Sequence, residues 1–355
     1  MISKLDKLLK LYDYHLPPEL IAQAPAKPRD SARLLVYSKR GKKIHFDIFK
    51  NLAKYLPKNA VLVFNQTKVW PARLEATKPS GGKARLLYIS HDRKYIKALS
   101  DRPLTVESVV YLTRTYAQSK QPEIKVIKKS GQFYFFKPSF ALSETPKILK
   151  RYGITPLPPY IKHSPLSEKQ KREQYQTIFA SAGLSVAAPT ASLHFTKALM
   201  KKLKERGIDI KFVQLDVGLG TFAPLKEENL KKGALHHEFY SVDHKTAEFI
   251  NLAKKQGRPI IAVGTTVVRT LESAAKNRQV KKLTGNTSLF IQKGYEFKIV
   301  DGMITNFHVP KSSLLMLVSA FMGRKNLLSA YQKAIAKSFR FFSFGDGMLI
   351  TNDKN

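Results

Sequence analysis

Residues 259–270 read PIIAVGTTVVRT. Ile260 to Val263 form a continuous apolar run of strand length. Gly264 interrupts it, and Thr265 or Thr266 can cap the helix that "TTVVRTLESAAK" predicts. A buried strand passing directly into a helix is the unit of a layered α/β domain. The same alternation extends outward from this stretch. "AVLVF" (residues 60–64) is a second buried strand, and "IDIKFVQLDVG" (208–218) a third. "SEKQKREQYQTIFASAG" predicts a helix ending at Gly183, "TKALMKKLKERG" a basic amphipathic helix ending at Gly207, and "DHKTAEFINLAKKQG" another helix. "SLFI" and "FKIVDG" read as strands, and "LLMLVSAFM" (314–322) as a buried helix capped by Ser312 or Ser313. A last helix near Leu327–Lys337 leads to a terminal strand near Gly347–Thr351.

Between about Arg73 and Phe140 the texture changes. "ARLLYIS", "KYIKALS", "SVVYLTR", "EIKVIKK" and "QFYFFK" are short alternating segments divided by polar or Gly/Pro turns, with no helical period. Such a run predicts a small β-barrel or sandwich. The expected organisation is a discontinuous α/β domain, residues 1–68 plus 142–355, with a β-barrel inserted at 69–141.

The chain has 355 residues and a formal net charge of +36, carried by 46 Lys and 16 Arg against 26 acidic residues. A field of that sign attracts polyanions, nucleic acid first among them. The absence of cysteine excludes disulfides, thiolate metal sites and a cysteine nucleophile. The opening "MISKLDKLLK" lacks a signal-peptide core, and the longest apolar run is too short to span a bilayer. We therefore expect a cytoplasmic protein with no membrane partner.

Five stretches carry polar or Gly-rich turns where a strand ends or a helix begins, the place where α/β sheets bind ligands. Gly264–Thr265–Thr266 offers free helix N–H groups to a carboxylate or phosphate, or is simply a cap. "LDVGLGTFAPL" presents Gly218 and Gly220, which permit close approach of backbone to ligand or form a plain loop. "LHHEFYSVDH" holds His236, His237, Glu238 and His244; the spacing of three imidazoles and a carboxylate fits no zinc pattern, and a His–Glu base is the better functional reading. "VDGMITNFHVPKSS" places Asp301, Asn306 and His308 before the apolar helix. "VFNQTKVWPARL" gives Asn65, Thr67 and Lys68 after a buried strand. Beside these five, "SVAAPTASLHFT" (185–196) sets small residues and Thr190 ahead of His194, as a wall beside a titratable group or as a tight turn into a helix.

Together these stretches closely resemble one family, the S-adenosylmethionine:tRNA ribosyltransferase-isomerases of queuosine biosynthesis. The matching pieces are "YHLPPELIAQAPAKPRDSARLLV", "NQTKVWPARL", "PLPPYIK", "YQTIFA", "SVAAPTASLHFT", "DVGLGTFAPL", "GTTVVRTLES", "GYEFKIVDGMITNFHVPKSSLLMLVSAFMG" and "FRFFSFGDGMLI". They follow the family's order from residue 14 to residue 350. The resemblance implies an α/β domain with an inserted barrel. It also implies a reaction: the ribosyl group of S-adenosylmethionine is isomerised and joined to 7-aminomethyl-7-deazaguanine in tRNA with a G-U-N anticodon. Epoxyqueuosine forms, and adenine and methionine leave. S-adenosylmethionine is then a consumed substrate; no cofactor or metal is implied, and a monomer is expected.

That chemistry needs a base beside the sulfonium, a donor to departing adenine and a neutral attacking amine. His194, His308, His236 and Glu238 are the candidates, with Asp301 orienting one of them. Asn65, Thr67, Lys68, Thr190, Gly218, Gly220, Thr265, Thr266, Arg269 and Asn306 are candidate substrate-binding residues, Arg269 and the helix start being suited to the methionine carboxylate. The basic helix at 196–206 suits tRNA phosphates. Several positions depart from the family's usual residue: Gln66 for Asp, Ser192 for Gly, Asp216 for His, His237 for Ser, Val267 for Ser and Gly347 for Ala. A base-exchange enzyme and a non-enzymatic RNA-binding relative are the alternatives; the missing cysteines weigh against the first and the retained imidazoles against the second.

Overall fold

The computed structural model describes residues 3–113, 121–218 and 224–352. By internal contacts the chain divides into two compact units, Met1–Lys68 with Pro158–Leu166 and Gln174–Asn355, and Val69–Leu157 with Ser167–Glu173. The second unit thus runs past the expected limit at 141, since the helix Thr145–Tyr152 and the short strand Gly153–Ile154 belong to it.

The first unit is built on one nine-stranded sheet. Its strands are β1 Arg33–Ser38, β2 Ile44–Ile48, β3 Val61–Asn65, β4 Asp209–Leu215, β5 Ala234–Ser241, β6 Ile260–Val263, β7 Thr284–Leu289, β8 Gly302–Asn306 and β9 Gly347–Thr351. They lie in the order β7-β5-β4-β3-β6-β8-β9-β1-β2. β4, β3, β6 and β8 are mutually parallel, so their carboxyl ends share one edge. β9 runs antiparallel to β8, which brings the chain ahead of Gly347 to that same edge.

The central strands are apolar throughout because both faces are covered. Val61, Val63, Ile260, Ala262 and Met303 face one core, Leu62, Phe64, Ile261, Val263 and Ile304 the other. Helices α1 Lys197–Glu205, α2 His244–Lys255, α3 Thr265–Ala274, α4 Ser313–Met322 and α5 Arg324–Ala336 supply the covering layers. Ser312 caps α4, its hydroxyl accepting from the Leu315 N–H at 3.2 Å.

Two sequence expectations are corrected. The helix expected to reach Gly183 stops at Gln174, and Ala182–Ser185 is a strand. "FKIVDG" is not a strand. The buried Glu272 carboxylate takes the N–H groups of Lys298, Ile299 and Val300 at 2.9–3.0 Å, which removes them from any ladder.

In the second unit six strands close on themselves. The order is Arg73–Thr77, Lys83–His91, Ile96–Ser100, Phe133–Pro138, Glu123–Ser130 and Val109–Thr113, with the last pairing back onto the first. Alternate residues such as Leu86, Tyr88, Val110, Val126 and Phe136 fill the interior. The fold is therefore mixed α/β with an inserted β-barrel. Among the described residues no helix is long and apolar enough to cross a membrane.

Candidate functional site

At the edge where β4, β6 and β8 end, a cleft is floored by Ala187–Ala191, Gly264–Thr266 and Thr305–Val309, with Tyr160, Phe342 and Ser343 on its side. Its cavity measures ≈ 60 Å³, room for only a few waters. A nucleoside must lie across the mouth or widen it.

Asn306, the last residue of β8, is the hub. Its Oδ1 accepts from the Thr190 hydroxyl at 2.9 Å, which orients the amide and turns Nδ2 toward His194 Nε2 at 3.3 Å. His194 Nε2 must then accept, so the proton sits on Nδ1. Burial lowers the His194 pKa to about 3, with the Arg340 and Arg29 charges adding to the shift. Its ring packs on Phe49 with centroids 4.6 Å apart. His194 therefore stands behind Asn306 as a neutral group rather than facing reacting atoms as expected. The small residues of "SVAAPTAS" do form a cleft wall.

His308 is the imidazole that reaches the cleft. Its backbone is held from both sides: the Tyr14 hydroxyl donates to its carbonyl, and its N–H donates to the Tyr331 hydroxyl at 2.9 Å. Its Nε2 lies 2.8 Å from the Thr305 hydroxyl. No partner is recorded for Nδ1 among the described residues, and part of the ring stays open to the cleft. Burial lowers its pKa to about 4, so it is neutral at physiological pH.

Gly264 has φ +98°, a backbone setting only glycine adopts without strain. This turn aims the start of α3 into the cleft. The Thr266 hydroxyl is buried there with no hydrogen-bond partner among the described residues, and the first N–H groups of the helix add partial positive charge. The expected cap is corrected: Gly264 is the N-cap residue and no side chain caps the helix, so Thr265 and Thr266 keep only the offer of free helix N–H groups. On the opposite wall the Tyr160 and Ser343 hydroxyls lie 2.7 Å apart, and burial pushes the Tyr160 pKa up to about 12.

The structure separates other candidates from the cleft. Asp301 precedes β8 and so lies at the far edge of the sheet, five residues or roughly 17 Å of strand from Asn306. There it accepts from the Ile260 N–H at 2.9 Å and pairs with Lys254 at 2.8 Å; it orients no imidazole. His236 and His237 are both exposed because the register of β5 slips between Ala234 and Glu238. Glu238 turns inward, away from His236, and pairs with Arg269, each about 95% buried. Its other oxygen accepts from the Gly218 N–H at 2.9 Å. Arg269 is thereby neutralised beneath the cleft, not displayed in it.

Asn65 ties β3 to β4 by hydrogen bonds of 3.0 and 3.1 Å with the Leu215 carbonyl and N–H. Thr67 lies 2.7 Å from Ser185 and donates to Asp216 at 3.1 Å. Both are buried supports, and Lys68 is exposed. Gly220 lies outside the described residues.

The unusual Asp216 is well accommodated: one oxygen accepts from Thr67, the Leu184 N–H and Gln214 at 3.0–3.1 Å. Gly183, with φ +78°, leaves it room; a Cβ there would lie 2.3 Å from that oxygen. The unusual Gly347 likewise makes room, since a Cβ would stand 2.8 Å from the Phe49 ring. Among the described residues the Ser192 hydroxyl has no hydrogen-bond partner. Among the described residues no cluster of metal-ligating side chains occurs. Sequence reasoning missed Tyr14, Tyr160, Thr305, Tyr331 and Ser343; all but Tyr331 sit in quoted motifs, but nothing local marks them as site residues.

The profile of a family described as queuosine biosynthesis protein matches residues 9–350. An S-adenosylmethionine:tRNA ribosyltransferase-isomerase from Carboxydothermus hydrogenoformans is 46% identical over 350 residues, covering 96% of this chain and 99% of its own. One of the same name from Aquifex aeolicus is 44% identical, with 96% and 98% covered. A crystal structure of an S-adenosylmethionine tRNA ribosyltransferase from Thermotoga maritima matches with a TM-score of 0.55 at 32% identity, covering 96% and 99%.

Proposed function

We propose, on the premise that this chain belongs to the queuosine biosynthesis protein family, that it is a transferase-isomerase acting on S-adenosylmethionine and tRNA. Its finer activity is transfer and isomerisation of the ribosyl moiety onto 7-aminomethyl-7-deazaguanine in the anticodon loop, giving epoxyqueuosine, adenine and methionine. The observation that carries this is the convergence of His308, Asn306, Thr190 and the Thr265–Thr266 helix start on one cleft.

Each group has a task there. His308, neutral and fixed by Thr305, takes the proton from the carbon beside the sulfonium through Nδ1. Thr266 and the helix N–H groups hold the methionine carboxylate, a role the Glu238 pairing denies Arg269. Asn306 and Thr190 present a rigid amide and hydroxyl to the ribosyl oxygens. Tyr160, held protonated by burial, is the available donor toward departing adenine.

The test is to incubate the protein with S-adenosylmethionine and an anticodon stem-loop bearing 7-aminomethyl-7-deazaguanine. Free adenine with a matching mass gain on the RNA is expected. RNA binding without adenine would reject the activity. His308→Ala should abolish adenine release and leave RNA binding intact.

A further inference from the structure

Helix α1 lies beside two cavities that the chemistry above does not use. On one flank, beside β4, a groove of ≈ 1020 Å³ is lined by Ile178, Phe179, Met200 and Phe212 together with Lys197, Lys201 and Lys204 of the helix, and by two carboxylates, Glu205, 3.8 Å from Lys201, and Asp209, paired with Arg258. Ile178 is 41% exposed, and Phe179 and Phe212 are partly open. The two rings stand 5.3 Å apart, and Phe179 is buttressed by Phe64 at 4.9 Å. A rigid, partly exposed aromatic pair beside lysines is what base stacking requires.

At the carboxyl end of α1 lies a second cavity of ≈ 680 Å³, at the sheet edge opposite the catalytic cleft. Lys54, Lys58, Arg206, Lys254 and Arg258 line it against a single carboxylate, Asp301. Lys254 is spent on Asp301 and Arg258 on Asp209. Lys54, Lys58 and Arg206 are exposed and make no ion pair among the described residues. Leu56, Pro57 and Pro259 give the cavity an apolar floor. Arg206 follows directly on the helix that carries Lys197, Lys201 and Lys204, so the groove and the cavity join into one basic track. The track runs from the edge of the sheet that holds the cleft to the edge that does not.

We propose that this track is the docking surface for the tRNA substrate beyond the modified base. Phe179 and Phe212 stack an unpaired base, and Lys54, Lys58 and Arg206 hold backbone phosphates. The inference deepens the proposed function and rests on tRNA being the substrate. Charge complementarity selects the occupant: eight cations against three carboxylates line the track, an excess that repels a basic partner and suits a polyanion that also offers flat apolar faces.

The experiment measures tRNA binding by fluorescence anisotropy from 50 to 200 mM salt, and adenine release at saturating RNA, on the full chain. Combined Lys54→Gln, Lys58→Gln and Arg206→Gln should raise Kd at least tenfold. It should also lower the slope of log Kd against log salt by about 2–3, for three phosphate contacts. Phe179→Leu should weaken binding by about fivefold to a hundredfold, and Phe179→Tyr, which keeps the ring face, should not. Adenine release at saturation should stay within about twofold, since none of these residues touches the cleft. Variants with unchanged Kd and slope, beside a wild type that releases adenine, would overturn the docking surface and spare the activity. Loss of binding in the variants, with a wild type that binds tRNA but releases no adenine, would support the surface and reject the activity. A wild type that binds no tRNA would overturn both.

Discussion

Replacing Glu238 with Leu separates a structural carboxylate from a catalytic one. Glu238 and Arg269 are each about 95% buried and pair directly. Arg269 otherwise donates only to the Leu289 carbonyl at 3.2 Å, and its second terminal nitrogen has no partner among the described residues. Glu238→Leu leaves a guanidinium in an apolar layer with one weak acceptor and strips the Gly218 N–H of its own. Breaking a buried pair in this way costs about 3–5 kcal/mol. At about 2–4 °C per kcal/mol for a domain of this class, Tm should fall by roughly 6–20 °C. The double variant Glu238→Leu, Arg269→Met removes both charges and should return to within about 1 kcal/mol of wild type or exceed it. Thermal melts of the two single variants and the double, with adenine release on the folded samples, make the assay. A Glu238→Leu protein that melts as wild type does but releases no adenine would refute the structural account and restore Glu238 as a reacting group.

Stability should fall with acid. His308 and His194 are held neutral in the fold, with pKa values of about 4 and about 3, whereas both protonate near 6.5 when unfolded. The unfolded chain therefore binds more protons below pH 6.5, and stability complete above that value declines down to about pH 4 and 3, by up to roughly 3–5 kcal/mol each. Unfolding followed from pH 7 to 4 should show a slope that His194→Gln flattens; an unchanged slope would reject the assignment. Thr305→Val should lower the rate of adenine release by roughly tenfold to a hundredfold without lowering Tm, because only the imidazole tautomer is lost; wild-type turnover would count against it. Asp301→Asn should keep turnover within about twofold and cost about 1 kcal/mol, its ion pair being partly solvated; a large loss of turnover would contradict its place at the far edge. Gly347→Ala should cost about 1–3 kcal/mol by driving a methyl into the Phe49 ring, readable as a lower Tm.

Much of the architecture was legible because it rests on local signals. Continuous apolar runs marked β3 and β6, and alternation marked the barrel, since a strand's period is written in consecutive residues; β8 was missed, its place being read one segment early as "FKIVDG". The convergence of Thr190, Thr265, Thr266, Asn306 and His308 followed from the rule that parallel strands gather their carboxyl ends. The failures have a common cause. Glu272 and Glu238 decide the conformation or charge of segments 20 or more residues away, and a buried carboxylate's partner leaves no mark in its neighbours. His194 and His308 look alike in sequence. Only three-dimensional contacts put Asn306 in front of one and Thr305 beside the other. Asp301 and Asn306 sit five residues apart in one motif, yet a strand between them carries them to opposite edges.

The hold on His308 has a practical side. One of its two clamps comes from Tyr14, whose ring also packs edge-on against Tyr331, the other clamp, with centroids 5.1 Å apart. The chain's opening segment is thus a working part of a centre assembled near residue 308. A protease cut or a trimmed expression boundary just beyond Tyr14 would free the imidazole's backbone on one side and would also take Leu5 and Tyr12 out of one core of the sheet. Preparations differing only in their first fifteen residues should then differ in turnover and in melting temperature together, so the integrity of the amino terminus is worth verifying by mass before any rate is compared.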